Sequence, residues 1–135
     1  SVFAKNKNIQ IFFYRETQML WYKCDKDRMN QIVENLLSNA IKYSNPASNI
    51  FVKIIEEHDE IIIEIEDQGI GIKESELQHI FKPFTQTSSR PTAGEESTGL
   101  GLAIVDKLVH AHNGTISVHS EENVGTKITI SLPKN

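Results

Sequence analysis

Between Asp27 and Tyr43 the apolar residues Met29, Ile32, Val33, Leu36, Leu37, Ala40 and Ile41 recur at intervals of three, four and seven. That spacing returns side chains to one face of an α-helix and leaves an apolar stripe that is stable only when covered. The predicted helix stops at "SNPASN", where Pro46 cannot continue it. The flanking sequence can supply the cover. "NIFVKIIEE" and "EIIIEIED" are β-branched, alternating runs joined by a short turn at His58 and Asp59, and "TISVHS" and "TKITISL" form a second such pair around "EENVG". Upstream, "IQIFFY" and "MLWYKC" flank the polar "RETQ", which predicts one more strand pair. "KESELQHIF" predicts a short helix, and "LGLAIVDKLVHAHN" a longer one ended by Gly114 at a C-cap position. The order β-β-α-β-β-α-loop-α-β-β predicts an α/β (α+β) two-layer sandwich. Its sheet is mixed and mainly antiparallel, and about three helices pack on one side.

The 135 residues fit one domain with a core that requires no disulfide or metal staple. No apolar run approaches the roughly 20 residues that span a bilayer. The formal net charge is −4 with both signs interspersed, which argues against a general nucleic-acid surface. Any phosphate must then be held locally. Cys24 is the single cysteine and no signal-peptide pattern opens the chain, so a reducing, cytoplasmic setting is expected. The opening "SVFAKNKN" lacks periodicity and a methionine. Residues 1–8 are therefore expected to be a linker within a longer protein, and residues 9–135 the domain.

Three stretches carry more chemistry than packing requires. Asn39 flanks the apolar stripe of the first helix, Asn35 lies a little further round, and Lys42 falls on the same side. Asparagine is a poor helix former and a poor core residue, although taken alone this strip reads more readily as a face turned to water than as a site. In "EIIIEIEDQGIGI" the alternation puts Asp67 on the face of Ile61, Ile63 and Ile65. A carboxylate there must be protonated, paired or hydrogen-bonded, and the exocyclic amine of an adenine is one suitable donor. Gly69 and Gly71 allow a sharp turn and the close approach of a flat ring, though "DQGIGI" alone also fits an ordinary Asp-containing turn. In "STGLGLAI", Gly99 and Gly101 open a helix whose free amides suit phosphates, while Ser97 or Thr98 would equally serve as a simple N-cap. Neither glycine pair completes a P-loop or a dinucleotide fingerprint. Between them lies "KPFTQTSSRPTAGEESTG", long enough to be a functional loop.

Taken together, "NQIVENLLSNAIKYS", "DQGIGI", "IFKPF" and "STGLGLAIV" resemble, in order and separation, the N, G1, F and G2 boxes of the catalytic ATP-binding domain of sensor histidine kinases. "VGTKITISLP" is similar to the closing strand of that domain, so the likeness runs from Ile9 to the end. It implies a Bergerat ATP-binding fold, with ATP and Mg²⁺ as cofactors. By the same resemblance Asn39 holds the magnesium ion and Asn35 supports it one turn earlier. Lys42 neutralises phosphate charge, and Tyr43 lies beside the nucleotide. Asp67 accepts the adenine amine, with Gly69, Gly71 and Ile72 shaping the pocket. Thr98, Gly99, Leu100, Gly101 and Leu102 form the phosphate-side end of a lid that Phe81 and Phe84 anchor. Many relatives have "FYR" after the F box; here "FTQ" puts Gln86 in the arginine's place, and Arg90 is the substitute.

The resemblance also bears on enzyme class. Hydrolysing members of the superfamily carry a glutamate four residues before the magnesium-binding asparagine, and Asn35 stands there in this chain. An amide cannot act as a general base, so the nucleophile should be something other than water. Glu34 points about 100° away on a helix and is not promoted to that role. Asn35 and Lys42 are the catalytic candidates. None of His58, His79, His110, His112 or His119 lies in an acceptor context of the form H-E/D-x-x-x-P, so the acceptor is expected on a separate histidine-bearing dimerisation domain of the same parent protein. The implied function is transfer of the γ-phosphoryl group of ATP to that histidine in two-component signal transduction, with a response regulator downstream. The domain itself is expected to be monomeric, without nucleic-acid or direct membrane contact, in a parent that could be membrane-anchored. Two alternatives stay open: an anti-sigma-type serine kinase, and a nucleotide-binding interaction module without phosphotransfer.

Overall fold

Alternation in "EIIIEIED" becomes a strand with Ile61, Ile63, Ile65 and Asp67 buried in a row. The computed structural model describes residues 8–15, 26–57, 59–80 and 101–133. Its elements are β1 (Gln10–Arg15), α1 (Lys26–Tyr43), β2 (Asn49–Glu57), β3 (Glu60–Asp67), a 3₁₀ turn (Glu74–His79), α2 (Gly101–Ala111), β4 (Thr115–Glu121) and β5 (Gly125–Pro133). The strands form one sheet in the order β1-β2-β3-β5-β4. Every pairing is antiparallel except β1 with β2.

The helices cover one face, and the core lies between the layers. Ile32, Leu36, Ala40 and Ile41 of α1 and Val105, Leu108 and Val109 of α2 meet the inward residues of β2, β3 and β5. Val33 and Leu37 pack against this core while partly exposed. The side chain of Met29 lies outside the described residues. On the opposite face Phe12 and Phe51, register partners across β1 and β2, stack with ring centroids 5.4 Å apart. No helix among the described residues is long and apolar enough to cross a membrane.

Three local expectations change. The "IQIFFY" strand pairs in parallel with β2, from Gln10↔Asn49 to Arg15↔Ile54, because α1 lies between the two strands and returns the chain in the same direction. "MLWYKC", expected to pair with it, lies outside the described residues. The helix expected in "KESELQHIF" is a six-residue 3₁₀ turn preceded by Lys73, whose side chain makes no capping bond. A segment that short gains little from α-helical propagation. Among the described residues, two α-helices and this 3₁₀ turn are consistent with the expected count of about three helices. Finally, α2 ends on Asn113 rather than Gly114. Asn113 takes the left-handed conformation at φ 59°, its N–H donates to the His110 carbonyl at 3.0 Å, and the Gly114 N–H donates to that of Val109 at 2.9 Å. This is a Schellman ending with asparagine at its left-handed position. Gly114 is small for another reason: a Cβ there would stand 2.6 Å from the Ser131 carbonyl oxygen.

Candidate functional site

Asp67 closes β3, and its burial follows from the strand's period: side chains two apart share a face, and Ile61, Ile63 and Ile65 face the helices. Antiparallel pairing sets Thr126 of β5 directly opposite, and the Thr126 N–H donates to Asp67 Oδ1 at 3.2 Å. Burial pushes the carboxyl up to about 6 and neighbouring Glu66 adds to the rise, while N–H groups of Thr126 and Gly69 hold it down. At neutral pH the group is ionised, an acceptor with lone pairs left beyond the Thr126 bond.

The turn after Asp67 is fastened on two sides. Towards α1, Ser44 bridges Gly69, the Ile70 N–H donates to the Tyr43 carbonyl at 3.2 Å, and the Asn45 N–H donates to the Gln68 carbonyl at 3.4 Å. A Cβ on Gly69 would collide with the Tyr43 carbonyl, so only glycine lets helix and turn approach this closely. The Gln68 side chain also accepts from the Asn49 N–H at 2.9 Å, tying the turn to the start of β2. Towards the β4–β5 hairpin, the Ile70 carbonyl accepts from the Asn123 N–H at 2.9 Å and the Ile72 N–H donates to Ser120 Oγ at 2.8 Å. Gly71 sits at φ 71°, and a Cβ there would meet the Glu121 carbonyl.

These ties bring the C-terminal end of α1 against the glycine turn. Asn39, Lys42 and Tyr43, all half-buried, thus share one end of the molecule with Asp67, Gly69, Gly71 and Ile72. Asn35 is half-buried one turn earlier, its amide nitrogen donating to the Gln31 carbonyl at 2.9 Å. Glu34 is exposed. Gly101 begins α2, and Leu102 packs partly against the core. Phe81, Phe84, Gln86, Arg90, Thr98, Gly99 and Leu100 lie outside the described residues.

Sequence reasoning passed over three residues that build this site. Thr126 carried a signal, since it shares the face of Ile128, Ile130 and Leu132 as Asp67 shares that of the isoleucines. Ser120 and Gln68 carried none, because their bonds join segments 48 and 19 residues apart.

A carboxylate buried at a strand end, a glycine turn pinned to the helix before it, and an amide-bearing helix end thus stand together at one end of the molecule. In comparison with known proteins, the family model for histidine kinase-, DNA gyrase B- and HSP90-like ATPases matches residues 24–135. The chain belongs to that family. Within this ATPase family its relatives include sensor protein SrrB of Staphylococcus aureus, 40% identical over 110 residues, which are 82% of this chain and 19% of the relative. Among solved structures, the mycobacterial sensor histidine kinase MprB superposes with a TM-score of 0.84 at 28% identity, covering 99% of this chain and 90% of that one. Full-length ShkA in complex with AMPPNP gives 0.84 at 27% identity, over 99% of this chain and 27% of that one. The chain spans less than a fifth of the length of SrrB. Its fold is the Bergerat fold of the histidine kinase catalytic domains, and family membership supports ATP binding.

Proposed function

We propose that this domain binds MgATP at the end of β3 and donates the γ-phosphoryl group to a histidine on a separate dimerisation domain of its parent protein. The observation that carries the reading is the buried Asp67 carboxylate beside the glycine turn, in a chain that belongs to this ATPase family. An ionised carboxylate held by the backbone N–H groups of Thr126 and Gly69 still has lone pairs to offer an adenine, whose exocyclic amine supplies a further hydrogen bond. Gly69 and Gly71 let the turn beside that carboxylate close tightly on the Tyr43 and Glu121 carbonyls. The nucleotide seen in the ShkA complex supports the same reading.

Asn39 fits the metal. Its side chain is half-buried at the helix end and bonds to none of the described residues, and a neutral amide oxygen is a suitable hard donor beside phosphate oxygens. Mg²⁺ held there would supply charge neutralisation at the phosphates and fix their geometry. Lys42 adds positive charge at the same end, and catalysis is mostly positioning and electrostatic stabilisation. Asn35 offers an amide where a hydrolase needs a base, so water is poorly activated and the phosphoryl group waits for a protein nucleophile. A response regulator downstream would accept the phosphoryl group in turn.

Calorimetric titration with MgATP tests the site: Asn39→Ala should remove the magnesium-dependent part of the affinity, and unchanged affinity in both this variant and Asp67→Asn would sink the assignment. Incubation with radiolabelled ATP and a histidine-bearing dimerisation domain tests the reaction. Acid-labile label is expected. Acid-stable label would point to a serine acceptor, and ATP binding with no label to a module without transfer.

A further inference from the structure

One hydroxyl links the two walls of the Asp67 site. Ser120 Oγ, in β4, accepts from the Ile72 N–H at 2.8 Å, lies 2.8 Å from Thr126 Oγ1 and 3.2 Å from the Gly125 carbonyl oxygen. Ile72 lies on the turn that follows Asp67, and Thr126 is the residue whose N–H holds Asp67 Oδ1. We propose that Ser120 is a positioning residue for nucleotide recognition: its hydroxyl sets the register between the glycine turn and β5, and so the orientation of the Asp67 carboxylate. The inference rests on the proposed nucleotide site and deepens it.

The hydrogen inventory makes the assignment specific. A serine hydroxyl carries one hydrogen and two lone pairs. One lone pair takes the Ile72 N–H. When the hydrogen goes to the Gly125 carbonyl, the Thr126 hydroxyl donates to Ser120 and fills the second lone pair, so every site on the oxygen is used. A serine that served only its own hairpin would need the Gly125 bond alone. The bond to Ile72, 48 residues away in sequence, has no role in forming that hairpin. Without the hydroxyl, the Ile72 N–H loses its acceptor and the turn loses its tie to the Thr126 side of the site, while its ties at Gln68, Gly69 and Ile70 remain. A carboxylate misaligned by a fraction of an ångström then binds adenine less well, because hydrogen-bond strength falls steeply with angle and distance.

The test measures affinity for MgADP and for MgIDP, which carries a 6-oxo group where adenine has its amine. The wild-type protein should prefer MgADP, since a carboxylate repels the oxo group. Ser120→Ala should lose roughly tenfold in MgADP affinity, about one hydrogen bond's worth, with little change for MgIDP. Ser120→Thr, which keeps the hydroxyl, should restore selectivity. Parallel weakening towards both nucleotides would reduce Ser120 to a structural residue and overturn the proposal, as would full selectivity in Ser120→Ala. Absence of nucleotide binding by the wild-type protein would instead remove the functional reading and this inference with it. Amide exchange keeps the proposal open to refutation even if Ser120→Ala fails to fold. In the nucleotide-free wild-type protein the Ile72 N–H should be protected, and rapid exchange there would overturn it.

Discussion

At the scale of the residue, Asp67 is held in a state that favours a ligand over the empty fold. Its carboxyl rises from 3.8 to about 6 because burial penalises the charge. Between about pH 4 and 6 the folded protein therefore holds a proton that the unfolded chain has released, and stability falls as pH rises through that window. Each pH unit of the interval is worth at most ~1.4 kcal/mol. Asp67→Asn keeps an acceptor for the Thr126 N–H and removes the buried charge, so the nucleotide-free variant should melt higher than wild type at pH 7. The same variant should bind MgATP roughly 10–100-fold more weakly, since a hydrogen bond to a charged group is lost and an amide can present its NH₂ to the adenine amine. Melting curves and calorimetry on one preparation check both halves. In the wild-type protein, MgATP affinity should decline as pH drops through about 6, the pH at which the carboxylate takes up its proton. Asp67 was legible in the sequence because its period matched the isoleucines before it. Thr126 obeyed the same period in β5, which marks it as inward-facing, but only the strand pairing names Asp67 as its partner.

Elements meet here through backbone more than through side chains. The last turn of α1 and the glycine turn share a bridge and a hydrogen bond to the Tyr43 carbonyl, and the approach leaves no room for a Cβ at Gly69. Gly69→Ala should cost about 2–3 kcal/mol in chemical denaturation, because backbone rather than a flexible side chain must move. It should also weaken MgATP binding by separating Asn39 from Asp67. At the far end of α2, Asn113 holds the left-handed ending. Asn113→Ala should destabilise by about 1 kcal/mol, and Asn113→Gly should be close to neutral, a contrast that thermal melts resolve. Glycine is the commoner residue at such an ending, which is why Gly114 was the sequence's natural choice. The structure assigns Gly114 to packing against β5 instead.

For the whole molecule, the parallel pairing of β1 with β2 and the antiparallel pairing of β3 with β5 bring distant segments into one sheet. Ile63 and Ile130, partners in that sheet and fully buried, join halves of the chain 67 positions apart. Ile130→Ala should cost about 3–4 kcal/mol and lower the denaturation midpoint of the entire domain in a single transition. At the same scale, the domain alone should bind MgATP without rapid steady-state phosphate release, since Asn35 supplies no base; a phosphate-release assay checks this. What the sequence by itself determined was local: an amphipathic helix from its period of 3.6, strands from their period of 2, a carboxylate on a buried face, and the boxes that carry the family resemblance. Periodicity and box order are properties of neighbouring residues, so they survive without coordinates. Only the tertiary structure decided that β1 runs parallel to β2, that Thr126 faces Asp67, that Ser120 reaches Ile72, and that Gly69 is glycine because Tyr43 crowds it. Each of those depends on which distant backbone groups satisfy one another once the core closes, and no local pattern records that choice.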